Sequence, residues 1–167
     1  MNTKTKKIAF IGLMASLAIV LSYVEFLLPP ISSAFPGIKI GLPNIAIIFA
    51  LYRFGTKEAA SVSAVRLAVS TLLFGNVMTL AYSLAGATLS LVLMSLLKKI
   101  DFLSTVGISV VGGVSHNIGQ IAVAVLLLGR LEIAYYLLVL IITGTVAGIL
   151  IGLAAAFLLK ILKRYNF

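Results

Sequence analysis

The chain has 167 residues, 62% of them hydrophobic and 10% charged, with a mean hydropathy of +1.22. A soluble domain is about 45–50% apolar and about 25% charged, so these proportions exclude one and point to an integral membrane protein. The net charge of +9 is read as Lys- and Arg-rich cytoplasmic loops rather than nucleic-acid binding, and the lack of cysteine excludes disulfides, thiolate chemistry and iron–sulfur sites.

A basic head over residues 1–7 precedes an apolar run over 8–28. At about 1.5 Å per residue this run spans a hydrocarbon core of about 30 Å. Ser32-Ser33-Ala34 loosely resembles a signal-peptide cleavage site. The run exceeds the usual apolar region of about 7–15 residues, however, so it is read as a retained helix that Pro29 and Pro30 end. A loop over 31–41, with Pro36, Gly37 and Lys39, leads to a short second span over 42–54. Pro43 falls in its first turn, where a missing N–H does no harm. This span is too short to cross a bilayer alone. It either starts within the loop or is a partly buried segment.

The third span, 59–74, carries Arg66 at its middle and has Glu58 at its positive end. Gly75-Asn76 is a turn signal. The fourth span covers 77–97, and Lys98, Lys99 and Asp101 make the next loop. The fifth covers 106–128, residues 129–132 form a turn, and the sixth covers 133–162. The expected fold is all-α, a six-transmembrane-helix bundle forming one membrane-embedded domain over 1–167. With both termini cytoplasmic, ten of the thirteen basic residues lie inside; Lys39 and Arg130 lie outside, and Arg66 lies within the membrane. That asymmetry predicts a multi-pass protein of the cell membrane, N-in and C-in.

The fifth span is interrupted by Gly112-Gly113-Val114-Ser115-His116-Asn117-Ile118-Gly119-Gln120, which holds the one histidine of the chain. His116 and Gln120, four apart, share a helix face. Polar groups at this depth are costly unless they meet partners or a water-filled cavity. The topology places Tyr23 and Glu25 near the outer end of the first span and Asn44 at the outer start of the second. Arg66 sits near the midplane of the third span, with Asn76 capping its outer end. Tyr82 and Ser83 lie at the outer start of the fourth, and 115–120 run from the midplane outward. The inner halves carry little beyond Ser and Thr. This pattern predicts a polar cavity open to the outside and sealed below, suited to capturing an external solute. Glu25, Asn44, Arg66, Asn76, His116, Asn117 and Gln120 are its expected contacts.

Each feature has a plainer alternative. Tyr135 and Tyr136 suit interfacial anchors. Ser115, Asn117 and Gln120 suit hydrogen bonds between helices. Arg66 and Glu25 either neutralise each other, or Arg66 offers its fork of donors to an anionic group of a ligand. Gly144, Gly148 and Gly152, like Gly86 and Ser90, have the spacing of close helix packing within the bundle. The Gly12 and Ser16 pair could instead face a partner subunit. No nucleotide-binding loop, carboxylate pair, metal-ligand cluster or Asp-rich diphosphate motif is present. One histidine alone is a poor metal site. Ser115 and His116 point apart on a helix. The expectation is therefore a protein without metal, cofactor or catalytic activity of its own.

Three stretches together resemble the Gx transporter family, also labelled heptaprenyl diphosphate synthase component I. They are Pro36-Gly37-Ile38-Lys39-Ile40-Gly41-Leu42-Pro43-Asn44, the run from Arg66-Leu67-Ala68 to Phe74-Gly75-Asn76, and His116-Asn117-Ile118-Gly119-Gln120. That family in turn resembles the substrate-binding S components of energy-coupling factor (ECF) transporters. The resemblance implies a six-helix protein that captures a small solute from outside and docks on a transmembrane T component driven by two cytoplasmic ATPase subunits. The docking motif of S components is Ala-x-x-x-Ala on the first helix; here Gly12 and Ser16 stand at those positions. The family label implies a second role, a non-catalytic membrane subunit in polyprenyl diphosphate or quinone metabolism or membrane electron transfer.

Overall fold

The structure, a computed structural model, describes residues 3–28 and 40–162. Expectations placed on Pro29, Pro30, the loop to Lys39, Lys163 and Arg164 lie outside the described residues. α1 (Thr3–Leu27) starts ahead of the apolar run, because Lys4, Lys6 and Lys7 of the basic head are good helix formers that can extend it. α2 (Asn44–Arg53) follows Pro43, whose φ of −58° suits the entry to a helix. Gly55, at φ +119°, makes the tight reversal into α3 (Thr56–Phe74).

α4 (Val77–Leu97) opens with a reciprocal cap. The Thr79 backbone N–H donates to Asn76 Oδ1 at 2.8 Å, and the Asn76 N–H donates to Thr79 Oγ1 at 2.9 Å. Asn76 thus caps the start of the fourth helix rather than the end of the third. Its extended backbone leaves its side chain free to meet the next helix's orphan donors. α5 (Thr105–Leu128) is capped by Ser104, whose Oγ accepts from Gly107 N at 3.1 Å. A 3-10 turn over Leu131–Tyr136 takes the first positions expected of the sixth span, and α6 (Leu137–Leu162) continues from it.

Four segments are long and apolar enough to cross a membrane: Thr5–Leu27, Val77–Leu97, Thr105–Leu128 and Leu131–Leu162. Large apolar side chains such as Leu72, Val77, Leu126 and Leu138 stand exposed on the outer faces of the helices. In water such a surface would aggregate; against lipid it is the expected one. The protein is a multi-pass membrane protein, all-α among its described residues.

α3, α4, α5, α6 and α2 pack in sequence around a ring, α2 closes the ring on α3, and α1 lies against α2 and α3. The ring is drawn tight on one side by small residues. A Cβ on Gly113 would fall 2.6 Å from the Gly144 carbonyl oxygen, and one on Gly148 would fall 2.6 Å from Val110 Cα. Gly144, Gly148 and Gly152 are therefore α5–α6 packing positions. α2 is the inner element: Ala46 to Leu51 are all buried, so its whole circumference is covered by protein.

Candidate functional site

The helices change character along their length. In α1, Phe10, Met14, Ala15 and Ala18 belong to the apolar core, whereas Ser22 and Glu25, one and two turns beyond Ala18, face a hollow. In α5, Ile108 is core and His116, Asn117 and Gln120 face the hollow. In α6, Ala155 is core and Gly144 lines the hollow. The start of α1 and the end of α6 therefore share the apolar end of the bundle, with the hollow at the other. Ile48 of α2, Met94 of α4 and Ile151 of α6 line its floor.

The hollow has a volume of about 450 Å³, within the range of about 300–1,000 Å³ usual for small-molecule sites. Glu25, Asn44, Arg66, Asn76, His116, Asn117 and Gln120 all line it. They come from α1, α2, α3, the α4 cap and α5, so no two neighbouring helices alone could assemble them.

Arg66 reaches the hollow from α3 and donates from Nε to Ser22 Oγ of α1 at 3.1 Å. The Glu25 carboxylate, one turn above Ser22, accepts the backbone N–H of Gly41. Gly41 has φ +79°, and a Cβ there would lie 3.2 Å from Asn44 Nδ2 and from Ile151 Cδ1; only glycine turns the chain into α2 so close to the cavity wall. Glu25 and Arg66 are thus held by different partners, Gly41 and Ser22, while remaining close enough for the charge of Glu25 to act on Arg66.

On the far wall, α4 lies flat against α5. A Cβ on Gly86 would fall 2.7 Å from the His116 carbonyl oxygen and 3.0 Å from Gln120 Cγ. The bare backbone at Gly86 thus makes room for the His116–Gln120 face. Asn117 Nδ2 donates to the Leu140 carbonyl oxygen of α6 at 2.6 Å, so this side chain ties two helices while its other end borders the hollow. Ser115 stands apart from the hollow: it is buried, and its hydroxyl donates to the Val111 and Gly112 carbonyls of its own helix. Tyr135 is exposed on the 3-10 turn, and Tyr23 packs on Phe74 with ring centroids 5.9 Å apart.

Hydropathy reading missed the hydroxyls of Ser22, Ser70, Thr71, Ser90 and Ser109, which also line the hollow. Serine in a long apolar run gives no strong signal. Ser22 could have been found from its spacing, three residues before Glu25 on one helical face. Ser109 Oγ is buried and has no hydrogen-bond partner among the described residues.

A family model described as heptaprenyl diphosphate synthase component I matches residues 14–158, from α1 to the last turns of α6. The chain belongs to the heptaprenyl diphosphate synthase component I family. The matched segment holds every cavity residue named above, so the family assignment covers the whole site. It includes Ser16 but stops short of Gly12. The family is named for a component of an enzyme, which implies partner subunits. No curated protein and no solved structure matches the chain.

At the opposite end the bundle is closed by an ion pair and by a lysine hydrogen bond. Lys7 of α1 pairs with Glu58 of α3 at 2.5 Å. Lys98 Nζ donates to the Leu51 carbonyl oxygen at 2.6 Å and lies 5.3 Å from the centre of the Tyr52 ring. This ammonium satisfies a carbonyl at the end of α2 that the helix itself leaves open. Gly12 and Ser16 point away from the bundle. An added Cβ at Gly12 would meet no atom within 4 Å, and the Ser16 hydroxyl folds back onto the Gly12 carbonyl at 2.9 Å.

Proposed function

We propose that the protein is the solute-binding subunit of an ECF-type importer, embedded in the cell membrane with both termini cytoplasmic. The observation that carries this reading is the convergence of Glu25, Asn44, Arg66, Asn76, His116, Asn117 and Gln120 on one hollow of about 450 Å³ above an apolar floor. Ionisable groups within a membrane protein are costly and mark solute paths. A closed floor lets the chain hold a solute without leaking it, so release inward requires work from partners. That work is supplied by ATP hydrolysis in cytoplasmic subunits, transmitted through a T component that meets α1 at the outward-facing Gly12 and Ser16. Small side chains there leave the backbone open to a second helix. The chain contributes binding and no catalysis.

Gentle solubilisation of membranes carrying the tagged protein, followed by affinity capture, tests this reading. It is expected to recover a T component and two ATPases. Recovery of a prenyl synthase without them would remove it. The family name favours that second reading, a membrane subunit beside polyprenyl diphosphate synthesis. Native mass spectrometry separates the two: a retained polar solute belongs to the importer, a retained isoprenoid to the synthase.

A further inference from the structure

The two walls of the hollow differ in charge. Among the described lining residues, both formal charges sit on α1 and α3, where Glu25 and Arg66 lie; α4, α5 and α6 contribute glycines, hydroxyls, two amides, the imidazole of His116 and the apolar Met94, Ala147 and Ile151. Arg66 is the lining cation, and the hydrogen bond it makes there goes to the neutral hydroxyl of Ser22. Among the described residues, that bond uses Nε and leaves the two terminal nitrogens of the guanidinium, the pair that matches the two oxygens of an acidic group. The nearby carboxylate, Glu25, is turned to the backbone N–H of Gly41. A guanidinium inside a membrane protein needs an anion at its open face.

We infer that the hollow takes an organic anion, its carboxylate or phosphate on the open face of Arg66 and its uncharged remainder against the α4–α6 wall. This deepens the reading of the hollow as the solute site and rests on it. The far wall suits a neutral polar body. Gln120 presents an amide, and Ser109 holds a buried hydroxyl on the same hollow that has no partner among the described residues. Glu25 opposes the anion electrostatically. Its tie to Gly41 keeps the carboxylate from closing on the guanidinium, so Arg66 stays available when the hollow is empty.

The test uses purified full-length protein in detergent, with acetate, inorganic phosphate or inorganic diphosphate titrated at constant ionic strength and thermal stability as the readout. At least one of these probes is expected to give saturable stabilisation. Arg66→Gln is expected to weaken that binding by about tenfold or more, the loss of charge-assisted hydrogen bonding. Glu25→Gln, which keeps an acceptor for Gly41, is expected to tighten it. Arg130→Gln, in the exposed α5–α6 turn, is the control and leaves it unchanged. The inference is overturned by an absence of saturable binding in folded wild-type protein, by equal binding in Arg66→Gln, or by a Glu25→Gln variant that binds no tighter. The Glu25→Gln arm still decides the matter where Arg66→Gln does not fold.

Farnesyl diphosphate set against inorganic diphosphate then distinguishes the source of the anion. A large gain from the tail identifies a lipid headgroup, and no gain identifies a soluble anion. Anion binding without partner-dependent capture keeps the solute class and removes the importer. Partner capture without anion binding does the reverse.

Discussion

Glu58 and Lys7 show what a single pair contributes at the rim of this bundle. The Lys7 ammonium, hydrogen-bonded to it, holds the Glu58 carboxyl below its ordinary range. A carboxyl depressed in the folded state adds stability above the unfolded value of about 4.3 and loses it as pH falls through the lower folded value. The pair borders solvent, so its contribution is under about 1 kcal/mol. Glu58→Gln is accordingly expected to lower the melting temperature slightly at pH 7. The difference from wild type is expected to shrink as pH falls below the unfolded value of about 4.3 and to vanish once pH lies below the lowered folded value. A difference that grows on acidification would contradict the assigned pairing. Glu58 was legible as a helix-start residue from its position after Gly55, but its partner was not, since Lys7 lies on another helix 51 positions away. The same holds for Arg66. Its depth followed from its place in the third span, whereas the Ser22 hydroxyl that orients it gave hydropathy nothing to register.

Among the elements, glycine has two distinct uses, and substitutions separate them. Gly148 of α6 abuts the α5 backbone, with Val110 Cα 2.6 Å from where a side chain would begin. Gly148→Leu is expected to cost about 3 kcal/mol, the upper end for overpacking, because it meets main chain that cannot rotate away. Gly12 faces outward with nothing within 4 Å. Gly12→Leu is expected to leave the melting temperature unchanged or raise stability by up to about 1 kcal/mol through better helix propensity. The same substitution is expected to abolish capture of the T component. Thermal unfolding and affinity capture on the two variants make the comparison. Long helices were legible because 3.6-residue geometry and a bilayer-length apolar run leave few alternatives. The fourth was readable to its ends from the Gly75-Asn76 turn signal and Lys98, although the turn signal alone places Asn76 at the end of the third. The 3-10 turn over Leu131–Tyr136 was not legible, since Ile133 to Tyr136 run without a break signal such as Gly or Pro into the apolar stretch of the helix they enter.

For the whole molecule, the distribution of Lys and Arg predicts which end faces the cytoplasm. The chain has no cysteine, so single introduced thiols report orientation cleanly. Asp101 lies in the α4–α5 connection and Arg130 in the α5–α6 connection, and both are exposed. Treating intact cells with an impermeant maleimide is expected to label Arg130→Cys and spare Asp101→Cys. The opposite pattern would invert the bundle and turn the hollow toward the cytoplasm. The convergence of seven residues on one hollow was readable only through this topology. Sequence spacing relates residues within a helix, whereas the alternation of helix direction relates depths between helices.

The short α2 also shapes the electric field. At about 1.5 Å per residue, its ten residues measure about 15 Å, half of a core of about 30 Å. In the orientation proposed above, and with water and ions in the hollow, the membrane voltage would drop mainly across the part of the bundle that α2 fills. A charge carried through the floor would therefore feel most of the potential over half the distance, at about 2.3 kcal/mol for each elementary charge per 100 mV. For the anion proposed above, moving toward a negative interior, that term would oppose entry and set a minimum on the work of each delivery.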